Sequence, residues 1–470
     1  MLARTFSLEN QISFAEISGD FNPLHVDPII ARRLLYGEPV VHGIHAVLWA
    51  IDVWLKKNGY FISLTSLEVE FLLPIVVNQS VQYICVTETK DSFNIRVLVS
   101  GKKAISIKAS FLIVDSHERL HFNLKIVKGE CKEVPVSDIL KISGDIDLSA
   151  DYSLADKLFP YVANSLPSIQ IAELLATTKV VGMECPGLQS IFSSLTLKFK
   201  KPVANCFQMN YSVKDFDERF SRIMVNILSA SVSGKLYVFY RPPHKRQPSF
   251  LDMHKLVARD DFSDQRALII GGSRGLGEVT AKLLASGGAE VVITYFRGSR
   301  DADIIVEEVT NGGGNIFCIN YDVMSPLKDS MLRIKDNWTP THLYYFATPF
   351  IFDGIRGEFN PALFDKFCNH YVTGFVNAIN NCKDIGSNLE KVYYPSSIAV
   401  DSPPADMIEY SAAKAAAESI CRSFNITENK TEFIFDRLPR LDTDQTASVF
   451  EVDNNDPVPH MLRIIRGMSG

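Results

Sequence analysis

The sequence of 470 residues has no uncharged apolar run long enough to span a bilayer, and it reaches Glu9 without the basic and then apolar stretch of a secretory leader. No membrane partner is expected, and the reading is a cytoplasmic protein. The eight cysteines (Cys85, Cys131, Cys185, Cys206, Cys318, Cys368, Cys382 and Cys421) form no Cys-x-x-Cys pair and fall at no metal-ligand spacing. They read as reduced packing residues. Excess positive charge is missing too. A net charge of -6 and a pI near 6.0 leave no basic footprint, which speaks against nucleic acid as a partner. Low-complexity and Gly/Pro-dominated stretches are also lacking. What remains is a globular composition, 46% hydrophobic and 22% charged, on a chain long enough for roughly three domains.

Residues 1 to 117 open with a polar loop, Ser18 to Asp27, pass through an apolar helix-like stretch, His42 to Leu55, and continue as alternating strand patterns. A helix wrapped by an antiparallel sheet is expected. In Ser66-Leu-Glu-Val-Glu-Phe71, alternation puts Leu67, Val69 and Phe71 on one face. The pattern returns 128 residues later (194 minus 66) as Ser194-Leu-Thr-Leu-Lys-Phe199, and Pro74-Ile75 returns as Pro202-Val203. Phe93 with Val97-Leu-Val99 likewise finds Phe220 with Ile223-Met-Val225. Residues 118 to 243 therefore read as a second copy of the first block. A polar stretch, 244 to 265, reads as a linker. From residue 266 the order changes to strand (Ala267 to Ile270), glycine-rich turn, helix (Glu278 to Ser286) and strand (Glu290 to Tyr295), which announces a parallel sheet.

The first loop carries chemistry. It reads Ser18-Gly-Asp20-Phe-Asn22-Pro23-Leu-His25-Val-Asp27, followed downstream by Val41-His42-Gly43. A carboxylate and an imidazole five residues apart, with Pro23 stiffening the segment between, can hold a water and move protons at both ends of a double bond. Gly43 at a helix start offers a backbone N–H to a carbonyl oxygen, helped by the positive helix end. An ordinary turn uses Asp, Asn, Pro and Gly as well, but does not require His25 or the later Val-His-Gly. A metal site of His25, His42 and His45 lacks partners at zinc spacing. The motif resembles the MaoC and (R)-specific enoyl-CoA hydratase family. That resemblance implies a hotdog fold with Asp20 and His25 as the acid/base pair, Asn22 orienting the loop and Gly43 as the oxyanion contact. Which of the pair activates water stays open. No histidine occurs between His121 and His244, so the second copy is expected to be non-catalytic. Its segment Val181-Gly-Met-Glu-Cys-Pro-Gly187 loosely resembles the turn into a hotdog strand.

The second constellation begins with Gly271-Gly-Ser273-Arg274-Gly275-Leu276-Gly277 between a strand and a helix, where glycines admit a diphosphate to the backbone. Downstream come Ser397 and, 13 residues later (410 minus 397), Tyr410-Ser-Ala-Ala-Lys414. Residues four apart share a helix face, so the Lys414 ammonium is expected to approach the Tyr410 hydroxyl and lower its pKa. Together these resemble the short-chain dehydrogenase/reductase family over about residues 266 to 446. The resemblance implies Ser397, Tyr410 and Lys414 as catalytic, with Lys414 also on the ribose. It implies Gly271, Ser273, Arg274, Gly275, Leu276 and Gly277 at the cofactor, and Asp322 near the adenine. Arg297 and Ser299 follow the second strand where no carboxylate stands at the tip, which favours NADP(H). A solvated arginine cluster is the alternative. Two departures stand out. Tyr345-Phe-Ala-Thr348 replaces the family's Asn-Asn-Ala-Gly, and Tyr371 takes the place of a catalytic asparagine. Pro439-Arg440 replaces a Pro-Gly, and the early end suggests a short or rebuilt lid.

The expected architecture is an α+β double hotdog followed by an α/β Rossmann domain with a doubly wound parallel sheet. The expected activity is NADPH-dependent reduction of a 3-ketoacyl thioester of CoA or acyl carrier protein, coupled to reversible dehydration of the (R)-3-hydroxyacyl product. The alternatives are an NAD-linked β-oxidation pair, and a hydratase whose reductase domain only binds nucleotide. A homodimer is a weak preference.

Overall fold

The computed structural model describes residues 2–116, 128–201, 207–241, 243–327, 338–448 and 452–469. The chain forms two compact units, Met1–Pro243 and His244–Ala447 with Val452–Gly470. Among the described residues no helix is long and apolar enough to cross a membrane.

The first unit is built on one antiparallel sheet. Its strands are β1 (Leu2–Thr5), β2 (Phe61–Phe71), β3 (Ser80–Glu88), β4 (Ser92–Val99), β5 (Lys102–Val114), β6 (Ser143–Asp147), β7 (Ser190–Phe199), β8 (Gln208–Asp217), β9 (Arg222–Leu228) and β10 (Val232–Tyr240). They run in the order β1-β3-β4-β5-β2-β7-β10-β9-β8-β6. Read outward from the middle, β2-β5-β4-β3-β1 and β7-β10-β9-β8-β6 are one topology written twice. The two echoing strands meet at the centre, where Glu68 pairs with Thr196, its own counterpart 128 residues on (196 minus 68), between the pairs Leu67–Leu197 and Val69–Leu195. A register that pairs a residue with its own equivalent is the mark of a local two-fold. The Phe93–Phe220 match does not survive. Phe93 is buried in β4, whereas Phe220 stands exposed in the turn before β9. Pro202-Val203 lies outside the described residues.

Each half sets one helix against the sheet. Gly43–Asn58 buries Ile44 through Asp52 with Trp54 and Leu55, so it is core on nearly every side. Lys56 and Lys57 suit its negative end, and Gly59 stops it at φ +71°, its N–H on Leu55 O at 2.8 Å. Ser168–Lys179 is equally buried but more polar, so its polar groups need partners. Gln170 exchanges two hydrogen bonds of 2.9 Å with the Leu64 backbone of β2. Glu173 accepts from the hydroxyls of Ser229 and Ser231.

The second unit is a parallel sheet of β11 (Arg266–Ile270), β12 (Glu290–Tyr295), β13 (Asn315–Asn320), β14 (His342–Tyr345), β15 (Lys391–Ser397) and β16 (Glu432–Leu438), in the order β13-β12-β11-β14-β15-β16. Alternate residues feed a core on each face. Ala267, Ile269, Tyr344 and Tyr393 join one, and Leu268, Ile270, Tyr345 and Tyr394 the other. The order reverses between β11 and β14, and in such sheets ligands bind at that switch point. The expected linker, 244 to 265, turns out to be part of this unit. Phe250, Met253 and Phe262 are buried in its core, because their rings find glycine-lined floors: Phe250 over Gly312 and Gly314, Phe262 over Gly287.

Candidate active sites

In the first unit the helix Leu8–Ser18 ends at Gly19 in the left-handed region, and this turns the chain into the Asp20 loop. Asn22 caps the short helix Pro23–Val26, which lifts His25 back toward Asp20. Donor atoms of Asp20, His25 and His42 lie within 4.8 Å of one another. A single water can bridge a carboxylate and an imidazole at that spacing with two hydrogen bonds of about 2.8 Å. His25 Nδ1 is 2.7 Å from the Val40 carbonyl. A carbonyl only accepts, so Nδ1 carries the proton and neutral His25 presents the Nε2 lone pair. Burial holds the Asp20 carboxyl above its ordinary value, against the pull of His25 and of a bond from Thr178. Burial likewise holds His25 below its ordinary value, against Asp20. The two are thus drawn toward a common range, which suits a pair that trades protons.

His42 stacks on His25 with ring centroids 3.9 Å apart, and its Nε2 lies 3.0 Å from the Asp20 backbone carbonyl. The carbonyl accepts from Nε2 in the tautomer that is protonated there. Its Nδ1 and backbone N–H both face Gln11 Oε1 at 3.0 Å. Gly43 follows as the first residue of its helix, and among the described residues nothing accepts its N–H. A Cβ there would lie 2.6 Å from the Phe71 ring, which would have to shift to admit it.

The second half of the sheet reaches into this site. Thr178 donates to Asp20 Oδ2 at 2.6 Å, and the Asn22 amide donates to the Gly182 and Gly187 carbonyls at 3.1 Å. Gly182 approaches so closely that a Cβ on it would sit 2.1 Å from Asp20 Oδ1. Of these, the sequence flagged only the Val181–Gly187 turn, and that as a structural echo.

In the second unit Gly271 takes φ +80°, and a Cβ on Gly277 would lie 2.3 Å from Gly271 O. The result is a turn whose glycines leave the backbone open at the N-terminus of the helix Gly275–Ser286. Ser273 is buried in it. Ser397 ends β15, and Tyr410 and Lys414 sit one turn apart on the helix Ile408–Thr427. The expected lowering of the phenol by the ammonium does not appear. Burial dominates and pushes Tyr410 up to about 12, with a Ser397 hydrogen bond pulling the other way. Lys414 is pushed down to about 7 by burial. Its Nζ donates to Pro395 O at 2.6 Å and stands over the Tyr371 and Tyr394 rings at 4.2 and 4.7 Å.

Residues 2–107 match the family described as MaoC like domain, and residues 265–434 match short chain dehydrogenase. The chain carries a MaoC-like domain and a short-chain dehydrogenase domain. It is 41% identical over 59 residues, 13% of its length and 24% of the other's, to a 3-oxoacyl-acyl-carrier-protein reductase of Synechocystis sp.. It is 42% identical over 43 residues, 9% of its length and 32% of the other's, to an (R)-specific enoyl-CoA hydratase of Aeromonas caviae. The chain thus spans about a quarter of the one relative and a third of the other. A short chain dehydrogenase of Burkholderia cenocepacia, crystallised with NADP, aligns at 20% identity and TM-score 0.39 over 45% of this chain and 92% of that one.

In the short-chain dehydrogenase domain the two departures touch. The Tyr371 hydroxyl lies 2.6 Å from Thr348 Oγ1, so the tyrosine in place of asparagine is paired with the residue that ends the altered stretch. Arg274 ion-pairs with Asp444 at 3.1 Å. Arg297 is exposed beside Phe296. Asp322 caps its own turn, accepting the Met324 N–H at 3.0 Å.

Proposed function

We propose that the chain is a bifunctional enzyme on acyl thioesters, in which residues 1–243 are a double hotdog with an active front half, and residues 266–470 reduce the 3-keto group. In the first site water adds across the 2-enoyl double bond. One of Asp20 and His25 takes a proton from the water as its oxygen bonds C3, the other gives a proton to C2, and dehydration is the reverse. Gly43 N–H, at the positive end of its helix, holds the thioester oxygen as negative charge develops there. Asn22 keeps the loop in place. The observation that carries this reading is the shared site of Asp20 and the Nε2 side of His25, both shifted by burial toward a common range.

In the second site the glycine-rich turn at Gly271, Gly275 and Gly277 fits a diphosphate, with Ser273 and Leu276 beside it. Arg297 suits a 2'-phosphate, and so NADP(H) is the cofactor of this reading, with Asp322 toward the adenine and Lys414 toward the ribose. Bound there, the cofactor supplies a hydride. Tyr410 gives a proton to the substrate oxygen that Ser397 holds, and the (R) hand of the product matches the hydratase half by family resemblance. A second reading, a hydratase with a non-catalytic nucleotide-binding domain, is favoured by the Lys414 ammonium bound to Pro395 O and by the high Tyr410 phenol.

Two assays test this. Crotonyl-CoA hydration is expected to fall about 10³-fold in Asp20→Asn; equal rates reject the hydratase. NADPH oxidation with acetoacetyl-CoA is expected to fall comparably in Tyr410→Phe and to exceed NADH oxidation. A Phe variant as fast as the parent rejects the reductase and leaves the second reading.

A further inference from the structure

The first unit buries a guanidinium that, among the described residues, no carboxylate pairs with. Arg241 follows β10 and is only 2% exposed. Its backbone N–H donates to Gln189 O at 2.9 Å, and Nη2 donates to Leu188 O. Nε is buried without an acceptor, and among the described residues none accepts from Nη1. The groups that face Arg241 electrostatically are Tyr36, Cys131 and Tyr240. Burial pushes both the Tyr36 phenol and the Cys131 thiol up to about 12, so both are neutral near pH 7. Burial lowers Arg241 itself to about 10, which still leaves it cationic there. A buried cation among neutral groups is costly unless something else brings the charge.

The location says what that is. Leu188, whose carbonyl holds Arg241, follows Gly187, whose carbonyl accepts from Asn22, so the cation lies beside the loop that carries Asp20 and His25, and His25 feels its charge. A fork with two unengaged N–H edges matches an oxyanion. We propose that Arg241 receives an oxyanion carried by the acyl thioester bound at the Asp20–His25 site, either a carboxylate on the acyl chain or a phosphate of the pantetheine arm. This rests on the acyl-thioester reading of the first unit and adds to it a charged group on the ligand.

Binding of unreactive thioesters to the full chain separates the sources. Glutaryl-CoA, butyryl-CoA and butyryl-pantetheine are titrated calorimetrically into the parent, Arg241→Met and Arg241→Lys, with thermal melts to check folding. An acyl carboxylate predicts that Arg241→Met weakens glutaryl-CoA about tenfold or more while butyryl-CoA holds. A phosphate predicts the same loss for both CoA esters while butyryl-pantetheine holds. Arg241→Lys keeps the charge without the fork and follows the same pattern with a smaller loss, which preserves the test if the Met variant does not fold. No loss, an equal loss for all three ligands, or no binding to the parent overturns the inference. Arg241-dependent binding without crotonyl-CoA hydration by the parent would keep the oxyanion site and reject the hydratase, so the two failures are distinguishable.

Discussion

The two halves of the first unit share a backbone plan and divide the chemistry unequally. The front half holds Asp20, His25 and Gly43. The back half has no histidine in the sequence between His121 and His244, yet it supplies Thr178, Gly182 and Gly187 to the same site. Loss of reactive groups has therefore not made it a spacer. It is the wall that fixes where the Asp20 carboxylate and the Asn22 amide can be. The strongest way to break this view is Gly182→Ala, because a Cβ 2.1 Å from Asp20 Oδ1 must displace either the carboxylate or the turn. Crotonyl-CoA hydration is expected to fall about 100-fold, the scale of a 1 Å misplacement. If the variant folds and keeps full activity, the back half is a spacer after all.

A gentler substitution sharpens the same point. Thr178→Val keeps the shape and removes the 2.6 Å bond to Asp20 Oδ2. That bond stabilises the ionised carboxylate and so holds the Asp20 pKa down against burial. Without it the pKa rises further, and the limb of the kcat/KM profile that Asp20 sets, the acid limb if it is the base and the alkaline limb if it is the acid, moves to higher pH. A lower rate with neither limb moved would mean that Thr178 only packs.

The asymmetry also explains what could be read before folding. Asp20, Asn22, His25 and Gly43 sit in one local motif, and the echo of Ser66–Phe71 in Ser194–Phe199 locates the centre of the sheet. Thr178 and Gly182 lie about 160 residues from Asp20; nothing around Thr178 marks it, and the turn around Gly182 read only as a structural echo. Their role arises only when the sheet brings the halves together. Phe250 and Phe262 were hidden for a related reason. They are isolated in a polar stretch, and the glycine floors that bury them are far along the chain. In the second unit the positions of Tyr410 and Lys414 were legible from helical spacing. The balance between burial and ammonium was not, because it depends on how much water the fold removes and on where Pro395 O lies.

The halves should also differ in how they answer pH. The 128-residue offset carries His45 onto Glu173 (173 minus 45), and both are buried on the central helices. Burial lowers the imidazole and raises the carboxyl. For His45 the unfolded chain binds the extra proton once pH drops below about 6.5, so stability is lost on acidification. For Glu173 the folded chain binds the extra proton above about 4.5, so stability is lost as pH rises from there toward the raised folded pKa. The substitutions therefore separate in opposite directions. His45→Phe, which keeps the contacts with Phe6, Phe14 and Phe159, gains on the parent below pH 6.5. Glu173→Gln, which can still accept from Ser231, gains on the parent as pH is raised from acid to neutral. Each slope is bounded by one proton, about 1.4 kcal/mol per pH unit. Calorimetric unfolding of the full chain across pH 4.5 to 7.5 checks both. Parallel pH curves for parent and variants would mean that neither group titrates with folding and that the halves are electrostatically alike.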